Sequence, residues 1–240
     1  MVYGIGELHL ELVAKRIMEK IPSYFSNPLV VFREFVVDTI VEKNEGVSVK
    51  IEPRIAVMEN SVFTEVNNEV RVVGLRGEKC RAIETIIMEA LKNGPRIGEP
   101  IIGARIQVSL SKDVSEQEVL TIVTKALSRL RTRIANPQYK FSVSVDDEYL
   151  GVVLRELSSR GARITQTYKN EVCEVEGMIP VLSSLGLATR LRDLSRGHAS
   201  IQLEFAGFKL ASRAEEEKIV KYLASRGTIY TGPFRGIFKT

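Results

Sequence analysis

Cysteine and histidine are scarce in this 240-residue chain, with two of each. Cys80 and Cys173 stand far apart and no CxxC spacing occurs, which excludes a zinc ribbon and a redox dithiol. Two reduced, buried thiols in a reducing compartment are expected instead. No apolar run approaches the ~20 residues that span a bilayer. Glu7, His9 and Glu11 interrupt any apolar core a signal peptide would need. The expectation is a soluble, cytoplasmic protein. The Walker A pattern Gly-x-x-x-x-Gly-Lys-[Ser/Thr] is also absent, so no P-loop can cradle a nucleoside triphosphate. The nearest stretch, Gly74 to Cys80, is too short and ends wrongly. With so few histidines and no paired nucleophile and base, no catalytic residue, cofactor or metal ligand is expected.

What is present is ordinary globular material. Hydrophobic residues make up 44% and charged residues 27% of the chain, enough for a real core. Length allows one large domain or two small ones. The formal net charge is +4, a mild basic excess that fits a nucleic-acid or ribosomal partner.

Periodicity assigns the elements. Residues 7–20 read as a helix, with Leu8, Leu12 and Ile17 near one face and Pro22 closing it. The β-branched and aromatic run over 29–41 reads as one long strand. Turns are expected at Glu45-Gly46, Glu59-Asn60 and Asn67-Asn68, the last a hairpin. Arg76 to Lys92 reads as a helix stopped by Asn93-Gly94-Pro95, with Gly94 as a left-handed cap. A strand over about 104–110 and a helix over about 115–133 follow, the latter opened by a Ser115/Glu118 capping box. Asn136-Pro137 reads as a linker. Beyond it comes a βαββαβ order: strand 139–145, helix 147–160, strands 163–168 and 171–177 around Lys169-Asn170, helix 180–193 and strand 199–205. This is the ferredoxin-like layout. Gly161 and Gly197 follow helices, where positive φ is often required. A last helix covers 213–225, with Glu215, Glu216 and Glu217 at its positive end, and a Gly- and aromatic-rich tail runs from Thr228 to Thr240.

Four blocks carry a family resemblance. Gly4-Ile5-Gly6-Glu7-Leu8-His9-Leu10-Glu11, with Arg33-Glu34 further on, resembles the third domain of ribosomal translocases and its passage into domain four. Gly94-Pro95, Gly98-Glu99-Pro100 and Val108-Ser109-Leu110 resemble domain four. Glu148-Tyr149-Leu150-Gly151 with Leu157, Arg160 and Gly161 resembles the opening of domain five. Leu185 to Thr189, with Leu191-Arg192, Gly197 and Phe205, resembles its second half. The family is elongation factor G and its archaeal and eukaryotic counterpart, and the match is to its C-terminal half.

The resemblance implies an α+β chain: a ribosomal protein S5 domain 2-like domain, then a ferredoxin-like domain. The implied boundaries are a domain-three remnant over 1–26, a domain-four-like region over 27–136, a domain-five-like region over 137–210, and a helix and tail over 211–240. Only Met1-Val2-Tyr3 precede the first motif, so a paralogue lacking the GTPase domain is expected. His9 belongs to the first motif and is expected to be partly buried at a domain contact; His198 is expected in a solvated loop. The family inserts a loop after its Val-x-Leu strand into the decoding centre, and in one branch that loop bears a histidine modified to diphthamide. Here Leu110 is followed by Ser111-Lys112-Asp113 with no histidine, and Lys112 is the only cation at that tip.

Three arginine clusters complete the candidate rRNA contacts: Arg129, Arg131 and Arg133; Arg190, Arg192 and Arg196; and Arg160 with Arg163. For the first cluster the competing reading is favourable charge at a helix C-terminus. The expected function is ribosome or rRNA binding near the factor site, by occupancy and without catalysis. The alternative is a subunit completed in trans by a separate GTPase chain. A membrane, a metal or a cofactor has no place in either reading.

Overall fold

The computed structural model describes residues 13, 15–21, 29–64, 66–111, 114–168 and 172–225. The Gly4–Glu11 motif with His9, Pro22, the Lys112 loop tip, the Lys169-Asn170 turn and the tail from Thr228 lie outside the described residues. Of the helix expected over 7–20, residues 13 and 15–18 are described as helical.

Two compact units divide the chain: one gathers Phe32–Asn136 with Phe208–Thr240, the other Met1–Val31 with Pro137–Gly207. In the first unit lie β1 (Arg33–Val36), β2 (Ile40–Asn44), β3 (Val47–Pro53), β4 (Val62–Phe63), β5 (Glu69–Val73), α1 (Glu78–Ala90), β6 (Ile101–Ile102), β7 (Ala104–Leu110) and α2 (Glu116–Arg129). A four-stranded sheet runs β2-β3-β7-β5, antiparallel except for the parallel β5–β7 pair. Val47, Val49 and Ile51 alternate with polar residues on β3, as do Ile106 and Val108 on β7, so one face turns apolar by period two. It packs on Ile83, Ile87 and Leu91 from the α1 end and Val119, Ile122, Val123 and Ala126 of α2.

The 29–41 run is not one strand. β1 ends at Val36, Asp38 accepts from the Thr39 amide at 2.8 Å, and β2 starts at Ile40 in a different sheet. Composition reports that each half favours extended backbone, not that they join different partners. The expected Asn67-Asn68 hairpin is also absent. β4 pairs with β11 (Ala199–Leu210) and β5 pairs in parallel with β7. Asn68 instead donates from Nδ2 to the Ile101 carbonyl (2.7 Å) and accepts from the Ala104 amide (2.9 Å), bridging β6 to β7.

α2 carries the expected capping box: the Glu118 amide donates to Ser115 Oγ at 3.3 Å, and the Ser115 amide donates to Glu118 Oε2 at 2.8 Å. Ser115→Ala should therefore lower unfolding stability by about 1 kcal/mol, read from the urea midpoint at constant slope. α2 stops at Arg129, four residues before the expected end. Leu130, Thr132 and Ile134 are buried in alternation with Arg131 and Arg133, which is strand periodicity. Asn136-Pro137 falls where the two units divide, but inside a strand rather than in an irregular linker. β8 (Thr132–Asp146) runs straight through it, with Asn136 and Gln138 buried.

The second unit follows the expected order. β8 leads to α3 (Asp147–Ser159), β9 (Arg163–Tyr168), β10 (Val172–Pro180), α4 (Val181–Ser184), α5 (Leu187–Leu194) and β11. β8, β10 and β9 pair antiparallel, and β11 flanks β8, giving the ferredoxin-like order β11-β8-β10-β9. Leu150, Val153 and Leu157 of α3 and Leu187 and Leu191 of α5 pack on Phe141, Val143, Val145, Cys173, Val175 and Ile179. The helix expected over 180–193 is broken at Leu185-Gly186, where Gly186 takes φ 70°. Gly161 and Gly197 take the expected positive φ, 76° and 94°. The chain returns to the first unit through the end of β11 and α6 (Arg213–Ser225), whose Tyr222 ring lies 6.1 Å from Phe32. Cys173 is buried as expected, whereas Cys80 is only half-buried.

Candidate nucleic-acid interface

Glu34 is the most constrained acid of the first unit. It sits on β1 with no exposed surface, and its carboxylate accepts from the backbone amides of Arg96 (3.0 Å), Ile97 (2.7 Å) and Gly98 (3.1 Å) and from Thr132 Oγ1 (2.7 Å). The Gly94–Pro100 loop is thus folded around one carboxylate. Gly94 does not take a left-handed cap; a Cβ there would lie 2.3 Å from the Glu34 carboxyl carbon. Arg96 then reaches outward, donating to the Thr132 carbonyl at 2.7 Å and to Glu216 of α6 at 2.7 Å. Two blocks of the family resemblance, Arg33-Glu34 and Gly94 to Pro100, meet here as a structural clamp.

The nine sequence candidates separate by how their charge is engaged. Lys112 lies outside the described residues. Arg129 is 2.7 Å from Glu42, which Lys125 also approaches at 3.1 Å. The Lys125 ammonium, and after it Arg129, hold the Glu42 carboxyl below its ordinary value. Arg133 leaves the helix end where it was expected, sits on β8, and is taken up by Glu59 (3.1 Å) and the Ala211 carbonyl (2.8 Å). Arg131 is 82% exposed and meets Asp38 only at 3.9 Å.

In the second unit, Arg160 is turned inward. It binds Glu156 at 2.7 Å and donates to the carbonyls of Ser183 (3.0 Å) and Leu185 (2.8 Å), closing the last turn of α4. Arg190 lies 3.8 Å from the same Glu156. Arg163, Arg192 and Arg196 are exposed and make no ion pair among the described residues. Arg196 holds φ 51° just past α5, beside Gly197. His198 lies in an exposed stretch just before β11, as expected. The structure gives it two partners: its Nδ1 lies 2.7 Å from Asp146 Oδ2, and its ring stacks on Tyr149 at 5.5 Å. A hydrogen bond with Glu148 is the main cause that pushes the Tyr149 hydroxyl up. Asp146 and His198 stand 52 residues apart, so no local signal could have paired them.

Among the described residues, no group of three His, Cys, Asp or Glu side chains could hold a metal ion, and no helix is long and apolar enough to cross a membrane.

By class this is an α+β protein of two units, the second of ferredoxin-like order. It is similar to elongation factor G over about a third of that protein's length, and residues 133–219 match the family model described as Elongation factor G C-terminus. Elongation factor G of Thermotoga petrophila is 28% identical over 244 residues, covering 92% of this chain and 35% of the relative. That of Carsonella ruddii is 26% identical over 246 residues, covering 91% and 35%. That of Dehalococcoides mccartyi is 23% identical over 232 residues, covering 87% and 33%. The chain spans about a third of the length of these curated relatives. A crystal structure of a Thermus thermophilus protein matches 94% of this chain and 36% of its own, with TM-score 0.68 and 24% identity, which is a likeness of fold.

Proposed function

We propose that the protein is a non-catalytic, cytoplasmic translation factor-like protein that binds the ribosome through rRNA near the factor site and acts by occupancy. The observation that carries this reading is similarity to proteins named elongation factor G along about nine-tenths of the chain, while its 240 residues contain no P-loop sequence. Arg163, Arg192 and Arg196 support it, as exposed guanidiniums available to phosphate. Arg160 supports it less, because its Nε is held by Glu156 and its Nη1 by two carbonyls.

The experiment is co-sedimentation with purified ribosomes across a salt series. Wild-type protein should pellet with ribosomes, and Arg192→Ala with Arg196→Ala should weaken pelleting and lower the salt slope by about one unit per lost phosphate contact. In a translation extract, excess protein should compete with the full-length translocase and fail to replace it. Unchanged salt dependence would remove the arginines from the reading, and restored synthesis in a translocase-depleted extract would remove occupancy.

A further inference from the structure

The open face of the β2-β3-β7-β5 sheet, opposite α1 and α2, has an uneven charge pattern fixed by register. Val41 pairs with Lys50, Lys50 with Gln107, and Gln107 with Arg71, making one row across the four strands. The adjacent row is Lys43, Ser48, Ser109 and Val73. A third row, Glu52, Arg105 and Glu69, holds the acids of this face. Direction is settled by the alternate residues Val47, Val49, Ile51, Ile106 and Val108, which are buried against the helices.

The acids are already engaged. Arg105 lies 3.2 Å from Glu69 and 3.9 Å from Glu52, Arg54 is 3.6 Å from Glu69, and Lys50 also contacts Glu52. Lys43 and Arg71 are exposed and make no ion pair among the described residues. The first two rows therefore present two unpaired cations, Lys43 and Arg71, beside two hydroxyls and one amide, with Lys50 held by Glu52 of the third row. Beyond them the sheet end opens into a depression of about 310 Å³, lined by Lys43, Asn44, Ser48, Ser109 and Ser111 among others. No residue of the three rows is aromatic.

We propose that this sheet face docks the phosphate backbone of double-stranded RNA. A row of cations and neutral donors complements phosphate and sugar oxygens. A single strand would call for aromatic platforms, which these rows lack. Three inter-strand spacings make a face about 14 Å wide, suited to shape recognition of an A-form duplex rather than to base reading. The inference rests on the ribosome-binding reading for the source of the RNA, rRNA, and on the sheet alone for its chemistry.

The test uses the full chain and a fluorescein-labelled 16-base-pair RNA duplex, with ribosome co-sedimentation run beside it. Lys43→Gln with Arg71→Gln replaces two exposed side chains outside the core, so circular dichroism should be unchanged. Duplex affinity should fall about tenfold, with the salt slope reduced by about two units. A duplex of different sequence should bind wild type equally. If wild type pellets with ribosomes but the double variant binds duplex with full affinity and slope, the sheet face is wrong and the ribosome reading stands. If wild type binds duplex but not ribosomes, the rRNA assignment falls alone. Failure of wild type to bind the duplex, or equal competition by polyglutamate, overturns the proposal.

Discussion

Glu34→Ala should destabilise the protein by about 3–5 kcal/mol, since several buried donors each lose their acceptor at about 1–3 kcal/mol apiece. The variant removes the acceptor for the Arg96, Ile97 and Gly98 amides and the Thr132 hydroxyl, and leaves a hole at a site with no exposed surface. Urea unfolding at matched slope measures it. Glu34→Gln should cost far less. One oxygen still faces the amides, and the Thr132 hydroxyl can turn to accept from the new NH2. The pH dependence has the opposite sign to that of a carboxylate held below its ordinary value. Burial is the largest influence on Glu34 and raises its carboxyl above the ordinary 4.5, outweighing the donors around it. The folded state then holds its proton more tightly than the unfolded chain. The contribution is fully present below 4.5 and declines as pH rises from there through the raised value. That decline should vanish in Glu34→Gln; a Gln variant with the wild-type pH profile would show that another group causes it.

Gly74→Ala is the second large effect. Gly74 directly follows β5 with φ 101°, and a Cβ there would lie 2.1 Å from the Leu110 carbonyl oxygen at the end of β7. Both the positive φ and the backbone contact oppose a side chain, and backbone cannot swing aside as a flexible side chain could. A loss of at least about 3 kcal/mol is expected. Alanine at Gly161, where φ is 76° and nothing lies within 4 Å of the added carbon, isolates the conformational part. It should cost about 1 kcal/mol. Equal losses at the two sites, by thermal or urea unfolding, would show that crowding at Leu110 contributes nothing.

Local chemistry was legible and long-range pairing was not. Ser115 and Glu118 announced their capping box because both partners lie within one helical turn. The βαββαβ order was readable because helix and strand periods alternate cleanly from Tyr139 onward. Gly94 misled: after an apolar helix it looked like a left-handed cap, yet it is small because Glu34, sixty positions earlier, packs on it. Arg160 likewise looked like surface charge, and only the fold brings the Ser183 and Leu185 carbonyls to it. Arg133 falls on a strand rather than a helix because the helix periodicity over 115–129 gives way past Leu130, where alternation takes over. The resemblance blocks located the fold class, and two of them meet where Glu34 packs on Gly94 and binds the Arg96, Ile97 and Gly98 amides.

The division of the chain bears on how it is made. The first unit needs residues from both sides of the 137–207 stretch. Phe208 and Leu210 complete a cluster with Phe35, Ile102 and Ala135, and Glu216 receives Arg96. During synthesis, residues 32–136 emerge first but stay without those partners until the segment beyond 207 has left the exit tunnel. Residues 137–207 are contiguous and gain their own core as soon as they emerge. The later-made unit can therefore close before the earlier one, reversing the usual N-to-C order of domain folding.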